Sequence, residues 1–269
     1  MLHRSHPYIT NQLLAIGYHT LGYFSYGDSD HGTRLQGSHS GQGVKMRLSL
    51  RNLYQFFRDM GHVLINGELD SPDLIILDEE EVVFVSVAKS ACSSIKASIT
   101  EDPPTGRTIH DHISHLSMRG IPSSKRSYFV FTFVRNPYER LASCFRSKFN
   151  KQDETEFIYS NYLFGYLKND DTFDEFVGKV SRIPDFLSDR HFKSQNKIIS
   201  TRGIEIDFVG KVENLDSDYE DIRQRYGFNE LTVRNQSQGK SASELFTDRM
   251  RETAYERYKK DFEKFGYAK

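Results

Sequence analysis

An α/β fold, with a doubly wound parallel sheet flanked by helices, is predicted by three stretches of this sequence. In residues 81–96 (EVVFVSVAKSACSSIK) an apolar, β-branched run from Val82 to Val87 reads as a buried strand, which turns through Lys89 and a cluster of small residues into a helix. Residues 127–134 (SYFVFTFV) form a second such run, closing at Arg135-Asn136-Pro137, where Asn136 can cap a helix and Pro137 can take its first position. Residues 206–212 (IDFVGKV) supply a third strand, followed by a helix through 219–226. Strands alternating with helices favour parallel pairing, and ligands of such sheets bind beyond the strands' carboxyl ends.

The remaining elements follow in chain order. Leu14, Tyr18 and Leu21 fall at helical spacing, interrupted by Gly17, and residues 27–43 have loop composition. His3, His6, His19, His31 and His39 are irregularly spaced and lack cysteine or carboxylate partners, which makes them solvated loop histidines in preference to metal ligands. Residues 51–59 read as helix, 74–77 as a short strand, and the acids at 78–81 as a solvated hairpin or loop. The helix at 94–100 is stopped by Asp102-Pro103-Pro104. After the second strand, Leu141, Phe145 and Phe149 recur every four residues, so one face of that helix is core. Helical spacings at 157–167 and 173–180 predict a largely helical region covering the sheet, and 243–265 an amphipathic closing helix.

The totals bound the function. A chain of 269 residues with 20 Phe and 15 Tyr can bury a sizeable core, and a formal net charge of −1 implies no general attraction to nucleic acid or anionic membrane. Any anion site must therefore be a local gathering of Lys and Arg. Two cysteines, no opening apolar region and no apolar run of about 18 residues point to a reducing cytoplasm with no transmembrane segment.

Strand, small-residue turn and helix aim backbone N–H groups at one point, an arrangement that holds phosphate-like anions, so residues 81–96 read as an anion cradle. The plain alternative makes Lys89 a solvated turn residue. The nucleoside-triphosphate loop G-x-x-x-x-G-K-[ST] is absent, since both glycines are missing and the small residues follow the lysine. Arg135 leaves its strand at the same edge, and Ser143 lies about two turns into the next helix, where its hydroxyl could share a ligand with the guanidinium. Two anion sites on neighbouring strand ends suit a ligand with two separated anionic groups. The alternative for Arg135 is a structural ion pair with Glu139.

AKSACSSIK together with FTFVRNPYERLASCFRSKF resembles the two cofactor signatures of the carbohydrate sulfotransferases that use 3′-phosphoadenosine 5′-phosphosulfate (PAPS); FVGKVENLDSDYEDI, Asn235-x-Ser237 and YKKDFEKFGY also look like this branch. The resemblance runs from about residue 82 to 267. It implies a P-loop-like sheet, a sulfotransferase domain over 71–269 behind an N-terminal extension of residues 1–70, and adenosine 3′,5′-bisphosphate (PAP) as product. Carried onto this chain, it implies that Lys89, Ser90, Ala91, Cys92, Ser93 and Ser94 wrap the 5′-phosphosulfate, with Lys89 stabilising the leaving oxygen, and that Arg135 and Ser143 hold the 3′-phosphate. Lys96 could face core, solvent or ligand. No metal is implied.

The acceptor alcohol must lose a proton as it attacks, and histidine commonly serves as base. HDHISHL at 110–116 resembles the H-G-H-V-S-Y-L stretch of uronosyl 2-O-sulfotransferases, which implies His112 as base, His110 as an orienting or substrate-binding partner, and His115 on the substrate side; Asp111 and His115 depart from that pattern, and a polar loop facing water is the alternative. DRHFKSQ at 189–195 resembles the H-[WF]-x-P-Q element of chondroitin and related sulfotransferases, with Ser194 in place of proline. It makes His191 a competitor for the base, places His191 and Gln195 in the acceptor groove, and offers Arg190, Lys193 and Lys197 to an acidic sugar. The expectation is an enzyme sulfating a carbohydrate hydroxyl, acting in a bacterial or otherwise cytoplasmic setting before its glycan is exported; self-association as a homodimer is left open. The competing readings are a sulfotransferase for a small alcohol or lipid, a P-loop nucleotide kinase, and a binding module without turnover.

Overall fold

The computed structural model describes residues 50–100, 108–200, 203–231 and 241–269. The expectations on the first 49 residues, on Asp102-Pro103-Pro104 and on Asn235-x-Ser237 lie outside these. The described residues begin with helix α1 (Leu50–Asn66), then β1 (Asp73–Leu77) and β2 (Val82–Ser86), joined by the acidic turn as an antiparallel hairpin in which Leu77 faces Val82. Glu81 takes φ 56 to close that turn.

Helix α2 (Cys92–Ser98), the short α3 (Ile109–His112) and the two-residue β3 (Ser117–Met118) lead to β4 (Phe129–Val134). Helix α4 (Pro137–Lys148) starts as the sequence predicts, with Asn136 accepting from the Tyr138 amide and Pro137 in the first turn. Helix α5 (Phe173–Val180) begins at a Thr172/Glu175 capping box. Helix α6 (Gln195–Ile199), β5 (Phe208–Lys211), α7 (Leu215–Tyr226), α8 (Ala242–Leu245) and α9 (Asp248–Phe265) complete the order.

The sheet runs β3-β1-β2-β4-β5. Its functional half is parallel: Val82 to Val85 pair with Phe129 to Thr132, and Phe131 to Val134 with Phe208 to Lys211. The β1 hairpin and β3 add an antiparallel edge, so the sheet is mixed. A four-residue acidic connection is too short for a parallel crossover, which is the physical reason for that edge.

Alternation along β4 divides the core. Phe131 and Phe133 point toward α2 and α7, with Phe84 stacked on Phe131 at 5.0 Å, while Val130 and Val134 point toward α6 and the end of α9. Helices therefore cover both faces, and the parallel strands bury both sets of side chains. A third core of Tyr138, Leu141, Phe149, Phe176, Phe192 and Tyr258 joins α4, α5 and α9 into the helical region predicted beside the sheet. Within it, residues 157–167 are not one helix. Leu163, Phe164 and Gly165 all take positive φ, which ends the regular spacing after a single short turn.

Among the described residues no helix is long and apolar enough to cross a membrane.

Candidate active site

Because β2 and β4 are adjacent and parallel, both release their chains at the same edge of the sheet. After β2 the backbone enters the left-handed region twice, at Lys89 (φ 68) and Ala91 (φ 57). Each such non-glycine conformation costs on the order of 1–2 kcal/mol. Alternating handedness of this kind turns successive N–H groups toward one concavity, the backbone nest that holds anions. A lysine and an alanine here adopt what the triphosphate loop obtains from glycine.

Lys89 is half-buried and donates from Nζ to Ser147 Oγ on α4 at 2.8 Å. Burial lowers its pKa, and the neighbouring Lys148 and Arg135 charges add to the effect. Ser90 and Cys92 are buried, Ala91 and Ser93 half-buried, and Ser94 is buried in the first turn of α2. Both cysteines are free; burial pushes the Cys144 thiol up to about 12, so it stays protonated.

Arg135 leaves β4 beside this turn and its Nη1 lies 3.5 Å from the Lys89 carbonyl. Its Nη2 also stands 3.6 Å from Glu139, the ion pair that the sequence offered as the alternative. Ser143 is buried on α4, two turns further on.

Gln195 joins the two strand exits from inside. Its side chain accepts from Ser90 Oγ (3.2 Å) and from the Arg135 amide (2.9 Å), and donates to the Arg135 carbonyl (2.8 Å). It is fully buried, so these bonds place it behind the cradles and not on the surface of an acceptor groove. The Gln195 and Asn196 amides in turn donate to Asp261 of α9.

Arg140, one turn into α4, is the staple that the sequence did not single out. Its buried guanidinium donates to the carbonyls of Ala88, Lys193 and Arg190 at 2.9, 2.7 and 2.8 Å, tying the cradle to the 189–195 segment. The other cations of that segment, which the sequence offered to an acidic sugar, are paired with carboxylates of this chain. Lys193 is buried against Glu68 (2.8 Å) and the Asp70 carbonyl, and Arg190 pairs with Asp70 and Asp73 at 2.7 Å each. A charge buried like that of Lys193 leaves water only when paired, and this one is; Arg190 is half-buried and paired with two carboxylates. Lys197 remains exposed.

The histidines separate by what holds them. His191 places Nδ1 2.6 Å from Asp189 Oδ1, which also accepts from Tyr159 Oη (3.0 Å) and the His191 amide (2.9 Å). Burial alone would raise Asp189, but the His191 imidazole and its hydrogen bonds hold the carboxyl well below the usual range. With Nδ1–H bound to a carboxylate, the Nε2 lone pair of a neutral His191 is left as the basic atom. His110 contacts Ser93 Oγ through Nε2 (3.1 Å) and Lys96 Nζ through Nδ1 (3.3 Å), and burial followed by the Lys96 charge lowers its pKa to about 4. His112 is half-buried, and its carbonyl accepts from Nδ1 of the exposed His115 at 2.9 Å.

A mixed α/β sheet with a basic, nest-forming exit beside a second basic exit is the frame of a protein that binds an anionic ligand at its strand ends. The chain belongs to the sulfotransferase family, whose model matches residues 72–268. It is 30% identical over 177 residues to carbohydrate sulfotransferase 14 of Danio rerio, covering 57% of this chain and 48% of that protein. It is 26% identical over 241 residues to carbohydrate sulfotransferase 11 of Mus musculus (74% and 68%), and 27% over 176 residues to carbohydrate sulfotransferase 8 of Homo sapiens (54% and 40%). The chain thus matches about half the length of the first of these relatives. No solved structure matches.

Proposed function

We propose that this enzyme transfers the sulfuryl group of PAPS to a hydroxyl of a carbohydrate, in a domain beginning near residue 71. The observation that carries the reading is the juxtaposition of two cradles, Arg135 Nη1 standing 3.5 Å from the carbonyl of Lys89. The donor set fits a ligand with two anionic ends: a nest with Lys89 and the Ser93 and Ser94 hydroxyls for the 5′ end, and Arg135 with Ser143 for the 3′-phosphate. The family match supports the reaction, and the names of the relatives support a carbohydrate acceptor.

PAPS would supply an activated sulfuryl group with a nucleotide leaving group, on whose bridging oxygen negative charge develops. Lys89, poised by Ser147, would meet that charge. For the acceptor proton we favour His191, since Asp189 orients its ring; the resemblance pointed to His112, whose ring has no such partner among the described hydrogen bonds.

The tests separate these points. PAP should raise the melting temperature far more than ATP with Mg²⁺, and the reverse would overturn the sulfotransferase reading. His191→Ala should abolish transfer and leave PAP binding nearly intact. If only His112→Ala does so, the base is His112.

A further inference from the structure

We propose that His110 is a positioning residue of the nucleotide cradle: Lys96 fixes the ring as the tautomer protonated on Nε2, and that N–H donates to Ser93 Oγ, leaving the Ser93 hydroxyl hydrogen for the bound anion. This rests on the reading of the cradle as a PAP site.

Lys96 is 2% exposed, and its ammonium has donors but no acceptor. Its Nζ stands 3.3 Å from His110 Nδ1, a contact that requires a lone pair on that nitrogen. A neutral imidazole then carries its single proton on Nε2, 3.1 Å from Ser93 Oγ. A hydroxyl that accepts this bond keeps one O–H to give, and in the cradle an anion is what it can give it to.

The ammonium is itself held in place. Asp73, at the start of β1, accepts from Lys96 Nζ at 3.2 Å and from Arg190 Nη1 at 2.7 Å. Burial would raise Asp73, but Arg190 and Lys96 bring it down to about 2, so it remains a carboxylate. The charged and titratable groups facing His110 are Lys96 from α2, Asp73 from β1, and His191 and Arg190 from the 189–195 segment; of these only Asp73 favours a protonated ring. Although the residue as a whole is exposed, both ring nitrogens are engaged, so His110 is not free to serve as base in this state.

The test is a double-mutant cycle on the full chain, read by calorimetric titration with PAP. His110→Ala and Ser93→Ala should each weaken PAP roughly three- to tenfold, the range of one net hydrogen bond. The double variant should bind no worse than Ser93→Ala alone, because His110 acts only through Ser93. His110→Gln, whose amide can replace the Nε2 donor, should restore most of the affinity. Nitrogen-15 spectra of wild-type protein should show His110 neutral and protonated on Nε2 across pH 5–8. Failure of wild-type protein to bind PAP would overturn the nucleotide reading and this proposal with it. PAP binding with additive losses, or a ring protonated on Nδ1, would overturn this proposal alone.

Discussion

Lys89 combines three features in one residue: a left-handed backbone, a half-buried ammonium and a hydrogen bond to Ser147. A cation kept partly out of water and surrounded by Arg135 and Lys148 gains most when negative charge grows beside it. Lys89→Met should therefore lower kcat by roughly 10²- to 10³-fold, with PAP affinity falling by less than about tenfold. Comparable losses in both would mean that Lys89 anchors the ground state. His110 carries a separate pH signature. Its folded pKa of about 4 lies below the ordinary 6.5, so below pH 6.5 the unfolded chain takes up a proton that the folded chain refuses. Its share of stability is full above about 6.5 and is lost as pH falls toward 4. Denaturant melts of His110→Gln across that window should show a shallower loss than wild type, and parallel losses would refute the assignment.

At the scale of elements, the site depends on close contact between β4 and β5. A Cβ on Gly210 would lie 2.3 Å from the Phe133 ring, which is itself fully buried beneath Tyr219 and Phe208. Gly210→Ala should destabilise the protein by about 2–3 kcal/mol through overpacking, measured as a lower denaturation midpoint with little change in m. The cradle turn presents the opposite case. Ala91 holds φ 57 without being glycine, so Ala91→Gly should relieve strain and, after the added unfolded-state entropy, stabilise by on the order of 0.5 kcal/mol. Calorimetric melting would register this as a small rise in Tm, and a fall would mean that the alanine methyl packs usefully.

For the whole molecule, the question is how the sheet edge stays in register with the helical region beside it. Arg140 satisfies three carbonyls drawn from both parts, and Gln195 and Asp261 extend the join to α9. A lysine at position 140 keeps the charge but cannot reach three diverging acceptors. Arg140→Lys should cost about 2–4 kcal/mol and weaken PAP binding as well as stability, because buried carbonyls are left unpaired. A variant with wild-type Tm and affinity would show that the join lies elsewhere.

The four longer strands, the capped start of α4 and the two basic exits were legible because each is written in contiguous residues: apolar runs, Asn136-Pro137, and Lys89 and Arg135 just after their strands; the two-residue β3 is too short to carry such a pattern. The resemblance to sulfotransferases rested on the same local patterns, and the family match bears it out. What the sequence could not decide was the partnership of its polar residues. Lys193 read as a surface cation and is buried, and Arg190 is half-buried and paired, because folding brings Asp70, Asp73 and Glu68 against them from more than a hundred positions away. Gln195 read as a groove residue and is an internal brace, and Lys96, left undecided, is locked between Asp73 and His110. Hydrophobic periodicity is a property of neighbours along the chain, whereas the solvation of a charge depends on which distant groups folding brings within about 3 Å. The sequence by itself determined the scaffold and the chemistry it could offer; only the tertiary structure decided which cations brace the site and which remain to meet a ligand.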